Sequence, residues 1–137
     1  MDDVEAFLAE VRPRMTEADT ALHNGDAALR IALWSRQEPI TLFGAGQTER
    51  GWYRVQAAFE GVAARFTDCS SCEIEVVAAG VSGDLAYTVA FEHVTASRRG
   101  APPAAYTLRV TTVFRREAGE WRAVHRHGDE RVPGSNA

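Results

Sequence analysis

The chain is predicted to fold as α+β, with a curved antiparallel sheet wrapped as a cone around N-terminal helices. Three observations point there. Apolar residues in the first half recur at the three- and four-residue spacing of helices. From Cys72 onward the period changes to two. The chain then closes with two long alternating segments, AAYTLRVTTVFRRE and EWRAVHRHGDE. A sheet curving over helices leaves a mouth at its wide end, which is a natural pocket for a small molecule.

The elements follow in order. Val4, Phe7, Leu8, Val11, Met15, Ala18 and Leu22 keep one helical phase, so the first helix is amphipathic. Pro13 lies inside that pattern and is expected to kink or restart it, because it lacks an amide and crowds the preceding turn. Asn24-Gly25-Asp26 supplies a stop and a start, Gly as a left-handed cap and Asp as the next N-cap. A short second helix covers 27–34. Pro39 precedes a brief apolar strand at 40–43, which Gly44-Ala45-Gly46 breaks. A third helix covers 51–66, striped by Trp52, Val55, Phe59, Val62 and Phe66. Strands are expected at 73–79, 85–97, Ala104–Glu117 and Glu120–Glu130, joined by turns at Gly83-Asp84, 99–103 and Ala118-Gly119. Residues 1–132 read as one domain, with 133–137 a loose tail.

Composition narrows the function classes. At 137 residues, roughly two-thirds of the unfolded surface can be buried, enough for one core with a small internal cavity. A net charge of −4 removes any general affinity for nucleic acid, since there is no basic excess to displace phosphate counterions. All fifteen basic residues are Arg, which excludes a lysine Schiff base or lysine general base. No apolar run approaches the roughly eighteen residues that span a bilayer, and the opening MDDVEAFLAE is acidic where a signal peptide is basic. A cytoplasmic protein with no membrane partner is the expectation. Cys69 and Cys72 form a CSSC tetrapeptide after a helical pattern and before a strand. A redox motif sits the other way round, so the pair reads as incidental thiols at a helix-to-strand junction.

Turn length sets cross-strand register in the final hairpin. A two-residue turn at Ala118-Gly119 pairs Glu117 with Glu120, Val113 with Val124, Thr111 with Arg126 and Arg109 with Gly128. One face then carries Arg109, Thr111, Val113, Val124 and Arg126, and the other Val110, Thr112, Phe114, Ala123, His125 and His127. An odd-length loop or a bulge would break this assignment. Charged strand residues usually lie on a solvated side, and strand histidines are more often satisfied packing residues than ligands. The functional reading is that Glu92, in the strand AYTVAFEHV, meets Arg109 on the neighbouring strand inside the cone. A carboxylate beside an arginine stays ionised and can orient or deprotonate a polar ligand. Trp34 and Trp52 are packing residues that can also serve as pocket wall.

These residues resemble the SnoaL-like, ketosteroid-isomerase-like branch of the nuclear transport factor 2-like superfamily. The resemblance is carried by the helix–NGD–helix opening with Trp34, the ITLFG strand, the GWYRVQAAF helix and the closing Trp121-x-x-Val124-His125-x-His127. That ending is similar to the last strand of the association domain of calcium/calmodulin-dependent kinase. The resemblance implies a conical, cystatin-like α+β barrel, commonly dimeric through its outer sheet face, on a fold that hosts enzymes and non-enzymes alike. Ketosteroid isomerase uses a first-strand aspartate base, a helix tyrosine and a second aspartate. The resemblance lays these near Leu42 and Phe43, Ala18 and Thr111, so none is retained and steroid isomerisation is not expected. It turns Ala86, Thr88, Ala90 and Glu92 toward the cavity with Arg109, Thr111 and Arg126, and places His125 and His127 nearer a subunit contact.

The expected function is a small-molecule pocket protein, an isomerase, cyclase or hydratase without a cofactor, acting on an apolar ligand with a carbonyl or anionic group. Glu92 is its candidate base and Arg109 its anchor, with Trp34, Trp52, Thr88, Thr111, Arg126 and His127 as ligand contacts. The competing expectation is a non-catalytic ligand-binding or dimerisation module, with Tyr106, Leu108, Val110 and Phe114 presented to a partner sheet. A metal site from His125, His127 and Asp129 is not expected, since that face leads away from the pocket. A homodimer is the expected assembly under either reading.

Overall fold

The structure is a computed structural model and describes residues 1–132; the expected tail at 133–137 lies outside the described residues. Helix α1 spans Asp3–Leu22, with the Asp2 side chain accepting from the Glu5 amide at 2.8 Å. That bond and the acidic first turn suit the positive end of a helix dipole. The helix runs through Pro13 without a restart. Pro13 and Ala9, the residue whose carbonyl loses its partner, both lie on the exposed side, where water can satisfy that oxygen. Asp26 accepts from the Ala28 amide and opens α2, Ala28–Leu33.

The strand after Pro39 is β1, Thr41–Gly44, and it turns straight back into β2, Gln47–Arg50. The Gly44-Ala45-Gly46 segment is therefore a hairpin turn rather than a break. Its Ala45 and Gly46 have φ of 53° and 80°, the left-handed pair of a two-residue turn. Strand β2 is invisible to periodicity because QTER is a polar edge strand. Helix α3 is Trp52–Ala63, shorter than expected, and Phe66 begins β3, Phe66–Ser82, instead of ending the helix. Cys69 and Cys72 consequently lie within a strand, as free thiols. Strands β4, Leu85–Arg98, β5, Ala104–Glu117, and β6, Glu120–Glu130, complete the chain.

The six strands form one curved, unclosed sheet in the order β2-β1-β6-β5-β4-β3, antiparallel except where β1 runs parallel to β6. Irregularities in β3 at Thr67/Ser71 and Val76/Ala78 add the twist that bends the sheet over the helices. Between sheet and helices lies the core. Phe7 meets Phe114 and Trp121 edge-on at 5.2 and 5.1 Å, and Trp34 meets Phe59 at 5.0 Å. At the wide end, Gly44 of β1 approaches Gly128 of β6 so closely that a Cβ there would lie 1.8 Å from the Gly128 carbonyl. No helix among the described residues is long and apolar enough to cross a membrane.

The final hairpin corrects the predicted register. Glu117 pairs with Glu120 across the Ala118-Gly119 turn as expected. Then Phe114 pairs with Ala123 but Val113 with His125, so Val124 is an extra, bulged residue. Beyond it every partner changes. Thr111 faces His127 rather than Arg126, Arg109 faces Asp129 rather than Gly128, and Arg126 faces Thr112. On the other side, Glu92 pairs with Leu108 and Arg109 with Phe91. The pleat therefore sends Glu92, Thr112 and Arg126 inward, and Arg109, Thr111, His125 and His127 outward. Val110 and Phe114, expected on a partner-facing surface, are in the core, while Tyr106 and Leu108 line an interior cavity.

Candidate active site

The wide end of the cone encloses a cavity of about 400 Å³ between the end of α1, the β1–β2 turn, α3 and the ends of β4 to β6. Its apolar wall includes Leu22, Leu42, Phe59, Val62 and Leu108. A second space of about 20 Å³, enough for one water, lies deeper against Trp34, Glu92 and Thr112. Arg30 and Arg126 border both spaces and divide them.

Each of these arginines is held by a buried carboxylate. Arg126 binds Glu92 through two parallel bonds of 2.8 Å, and Glu92 is only 1% exposed. Arg30 binds Asp19 at 2.8 Å. Burial alone would raise the Glu92 carboxyl, yet the charge and hydrogen bonds of Arg126, with Arg30 behind, bring it to about 2. Asp19 moves the other way. Burial and the neighbouring Glu92 charge push it up, against the pull of Arg30, Arg126 and His23. Asp19 also accepts from the Cys72 thiol at 3.3 Å, and burial beside that carboxylate pushes the thiol up. Cys72 is thus a hydrogen-bond donor to Asp19 from outside the cavity lining rather than a nucleophile.

One turn along α1 from Asp19 is His23, buried at 2% exposure. Its Nδ1 lies 2.7 Å from the Asp19 carbonyl oxygen and 3.5 Å from the Asp19 carboxylate. A carbonyl oxygen can only accept, so Nδ1 carries the ring proton and the neutral imidazole has its lone pair on Nε2. Nε2 meets the Tyr106 hydroxyl in a short contact, and the Tyr106 hydrogen is donated to it. The oxygen lone pairs of Tyr106 remain for the cavity that this side chain lines. Burial raises the phenol well above its ordinary range, with the Asp19 charge adding to it, which keeps Tyr106 a neutral hydroxyl.

The expected site residues separate. Glu92 and Arg126 are brought together inside. Thr88 is inside as well, fully buried, its Oγ1 without a hydrogen-bond partner among the described residues. Trp34 is buried and borders the small space. Trp52 packs at the start of α3 under the Arg36 guanidinium, 5.2 Å away, and is not part of the large cavity's lining. Arg109 and Thr111 lie on the outer face, as do His125 and His127. Arg109 forms a two-bond pair with Asp129 there, about half exposed. The anchor that meets Glu92 is therefore Arg126, because β6 carries one residue more than an even register allows.

Sequence reasoning passes over Asp19, His23 and Arg30, and assigns Tyr106 to a partner-facing surface instead of the site. A signal for the first two exists. Asp19 falls in the buried phase of Val11, Met15, Ala18 and Leu22, and His23 follows it at i+4 on the same side. A carboxylate in the phase of a core stripe needs a buried partner.

Comparison with known proteins agrees with this architecture. The model of the SnoaL-like domain matches residues 11–129. No curated protein matches the sequence. Among solved structures, a candidate dehydratase of the nuclear transport factor 2-like family from Streptomyces avermitilis superposes with a TM-score of 0.77 at 18% identity, covering 93% of this chain and 98% of its own. A ketosteroid isomerase-like protein from Erwinia carotovora atroseptica gives 0.72 at 21% identity, covering 92% and 97%. A nuclear transport factor 2-like protein with a cystatin-like fold from Novosphingobium aromaticivorans gives 0.72 at 21%, covering 96% and 86%. At these identities the structural likeness speaks for the fold.

Proposed function

The chain belongs to the SnoaL-like domain family, and from that premise we propose that it is a small-molecule enzyme whose cavity moves a proton on an apolar carbonyl compound. The observation that carries this reading is the Asp19–His23–Tyr106 chain, buried at one end and open to the cavity at the other. A carbon acid beside a carbonyl gives its proton to Tyr106 Oη while the Tyr106 hydroxyl proton passes to His23 Nε2. The C–H electron pair moves into the carbonyl as an enolate. His23 then carries a proton on each nitrogen, and the Asp19 carbonyl and carboxylate beside Nδ1 stabilise that cation. Reversal returns the proton to the same carbon, which is exchange, or to another carbon, which is an isomerisation; departure of a β-hydroxyl from the enolate as water, taking the His23 proton through Tyr106, is the second half of a dehydration.

Glu92 has a different part from the one its sequence suggested. It is locked by Arg126 and does not line the large cavity, so its role is to hold the guanidinium that forms the floor. Thr88 stays in the same inner layer, one shell behind the ligand. The chemistry calls for no cofactor. The domain taken to act is residues 1–132.

The test uses 4-oxodecanoate in D2O, with loss of its α-proton signals followed by proton NMR. Wild-type protein accelerates the exchange over buffer, and Tyr106→Phe lowers that acceleration by about 10²-fold, the lower end of a general acid–base contribution. No acceleration by the wild type, or full acceleration by the Phe variant, sinks the proton-transfer reading.

The outer sheet face supports a second element, a homodimer. It exposes Val77, Leu85, Tyr87 and Val89 at 58%, 54%, 43% and 36%, beside a groove running to His125 and His127. His127 belongs to this contact rather than to the ligand. Sedimentation of a Val89→Arg variant checks it: the wild type runs as a dimer and the variant as a monomer, whereas two identical profiles would remove the interface.

A further inference from the structure

The cavity described above has a charge pattern opposite to that of the protein around it. Five arginines line it. The two on the floor, Arg30 and Arg126, are neutralised by Asp19 and Glu92. The other three, Arg65, Arg98 and Arg99, stand at the rim, where Glu130 is the one lining carboxylate besides the floor's Asp19 among the described residues. None of the three makes an ion pair among the described residues. A rim with three arginines against one carboxylate is set on a chain whose net charge is −4. Unpaired cations concentrated at a concave mouth attract anions and orient them on entry.

The rim is also built. The Arg99 amide donates to the Arg65 carbonyl at 2.7 Å, which ties the end of β4 to the end of α3 and gathers the three side chains on one side of the mouth. Arg99 takes a φ of 53° to make that contact. The Arg98 guanidinium lies 4.8 Å above the Tyr106 ring and 5.4 Å from the Phe66 ring. Stacking restrains the planar group while leaving its in-plane N–H edge free to donate. That edge matches the two coplanar oxygens of a carboxylate.

We propose that this enzyme selects ligands carrying a carboxylate, whose head group binds Arg98 with Arg65 and Arg99 while an apolar body fills the cavity against Leu42, Phe59 and Val62. The inference rests on the reading of the cavity as a ligand site and names the class of ligand it takes. Because Arg98 stacks on Tyr106, the head group sits beside the proton-transfer group. The activated carbon is therefore close to the carboxylate end, and the substrate is a short-range oxo or hydroxy acid rather than a neutral ketone. A volume of about 400 Å³ is at the small end of the roughly 300–1,000 Å³ of ligand pockets, which suits a medium-chain acid.

Titration calorimetry of the full chain with decanoate and with decan-1-ol tests this. Decanoate should bind at least about tenfold more tightly at low salt, as one charge-assisted contact implies, and the gap should shrink as ionic strength rises. Arg98→Gln should remove most of that preference while leaving decan-1-ol unaffected; the Arg65→Gln/Arg99→Gln double variant should reduce it further. Arg98 is exposed, so the fold survives its replacement. Equal affinity of the wild type for both probes, or an undiminished preference in both variants, overturns the inference and leaves the cavity standing as a ligand site. Binding of neither probe overturns the inference and the cavity reading together.

Discussion

The inner and outer faces of the sheet carry the same ion pair twice. Inside, Arg126 holds Glu92 through two bonds of 2.8 Å, with side chains 14% and 2% exposed. Outside, Arg109 holds Asp129 through bonds of 2.8 and 2.6 Å, with side chains 54% and 52% exposed. Geometry does not separate them; solvent does. The outer pair exchanges water for a partner at little net gain, since water screens the charges and both side chains lose rotamer freedom. In the inner pair each charge depends on the other, because Glu92 is sealed from water and Arg126 meets it only from the cavity side. The histidines divide in the same way. His23 is fixed by the Asp19 carbonyl and Tyr106, whereas His127 stands exposed on the outer face. A functional group needs the inner condition, in which surrounding structure sets orientation and protonation.

That contrast is broken most easily through stability. Arg126→Met leaves an uncompensated carboxylate in the core and should cost about 3–5 kcal/mol in urea unfolding. Replacing both partners, as Glu92→Leu/Arg126→Met, should recover much of the loss. Acid gives a smaller effect from the same pair. The Glu92 carboxyl is held at about 2, below its ordinary value of 4.5. A carboxylate depressed on folding contributes stability that is present above its unfolded pKa and lost as pH falls through the folded one. The wild type should therefore weaken between about pH 4.5 and 2, on a slope that Glu92→Gln lacks. Asp19, shifted upward, acts in the opposite sense and softens that slope. Arg109→Met should leave unfolding unchanged within replicate scatter. An Arg109→Met loss as large as that of Arg126→Met would remove the distinction between the faces.

The architecture was legible because it rests on long periodic segments. Both strands of the closing hairpin, with their turn, lie where the alternation of AAYTLRVTTVFRRE and EWRAVHRHGDE put them. The site was half legible. The sequence marks Glu92 and Arg126 as inward but gives Glu92 the partner Arg109. One bulged residue, Val124, shifts β6 by one position against β5, so Arg126 keeps its inward face while Arg109 and Thr111, expected beside it, lie outward, and a bulge leaves no trace in the alternation of apolar and polar residues. The edge strand β2 was lost for a related reason, since QTER has no buried face to show. His23 and Tyr106 are eighty-three residues apart, and only the closure of β5 over the end of α1 makes them neighbours. Their separate positions in the sequence announce nothing of the contact.

The claim on which the functional reading depends is the protonation of His23, and it can be measured without a substrate. Two-dimensional ¹⁵N NMR of the histidine side chains reports which ring nitrogen carries hydrogen. For the neutral ring of His23 the expected result is hydrogen on Nδ1 and an acceptor shift at Nε2, with Tyr106→Phe changing the Nε2 signal alone. The solvent-exposed His127 should show exchanging tautomers. Hydrogen on Nε2 of neutral His23, or a spectrum indifferent to Tyr106→Phe, would contradict the proton chain.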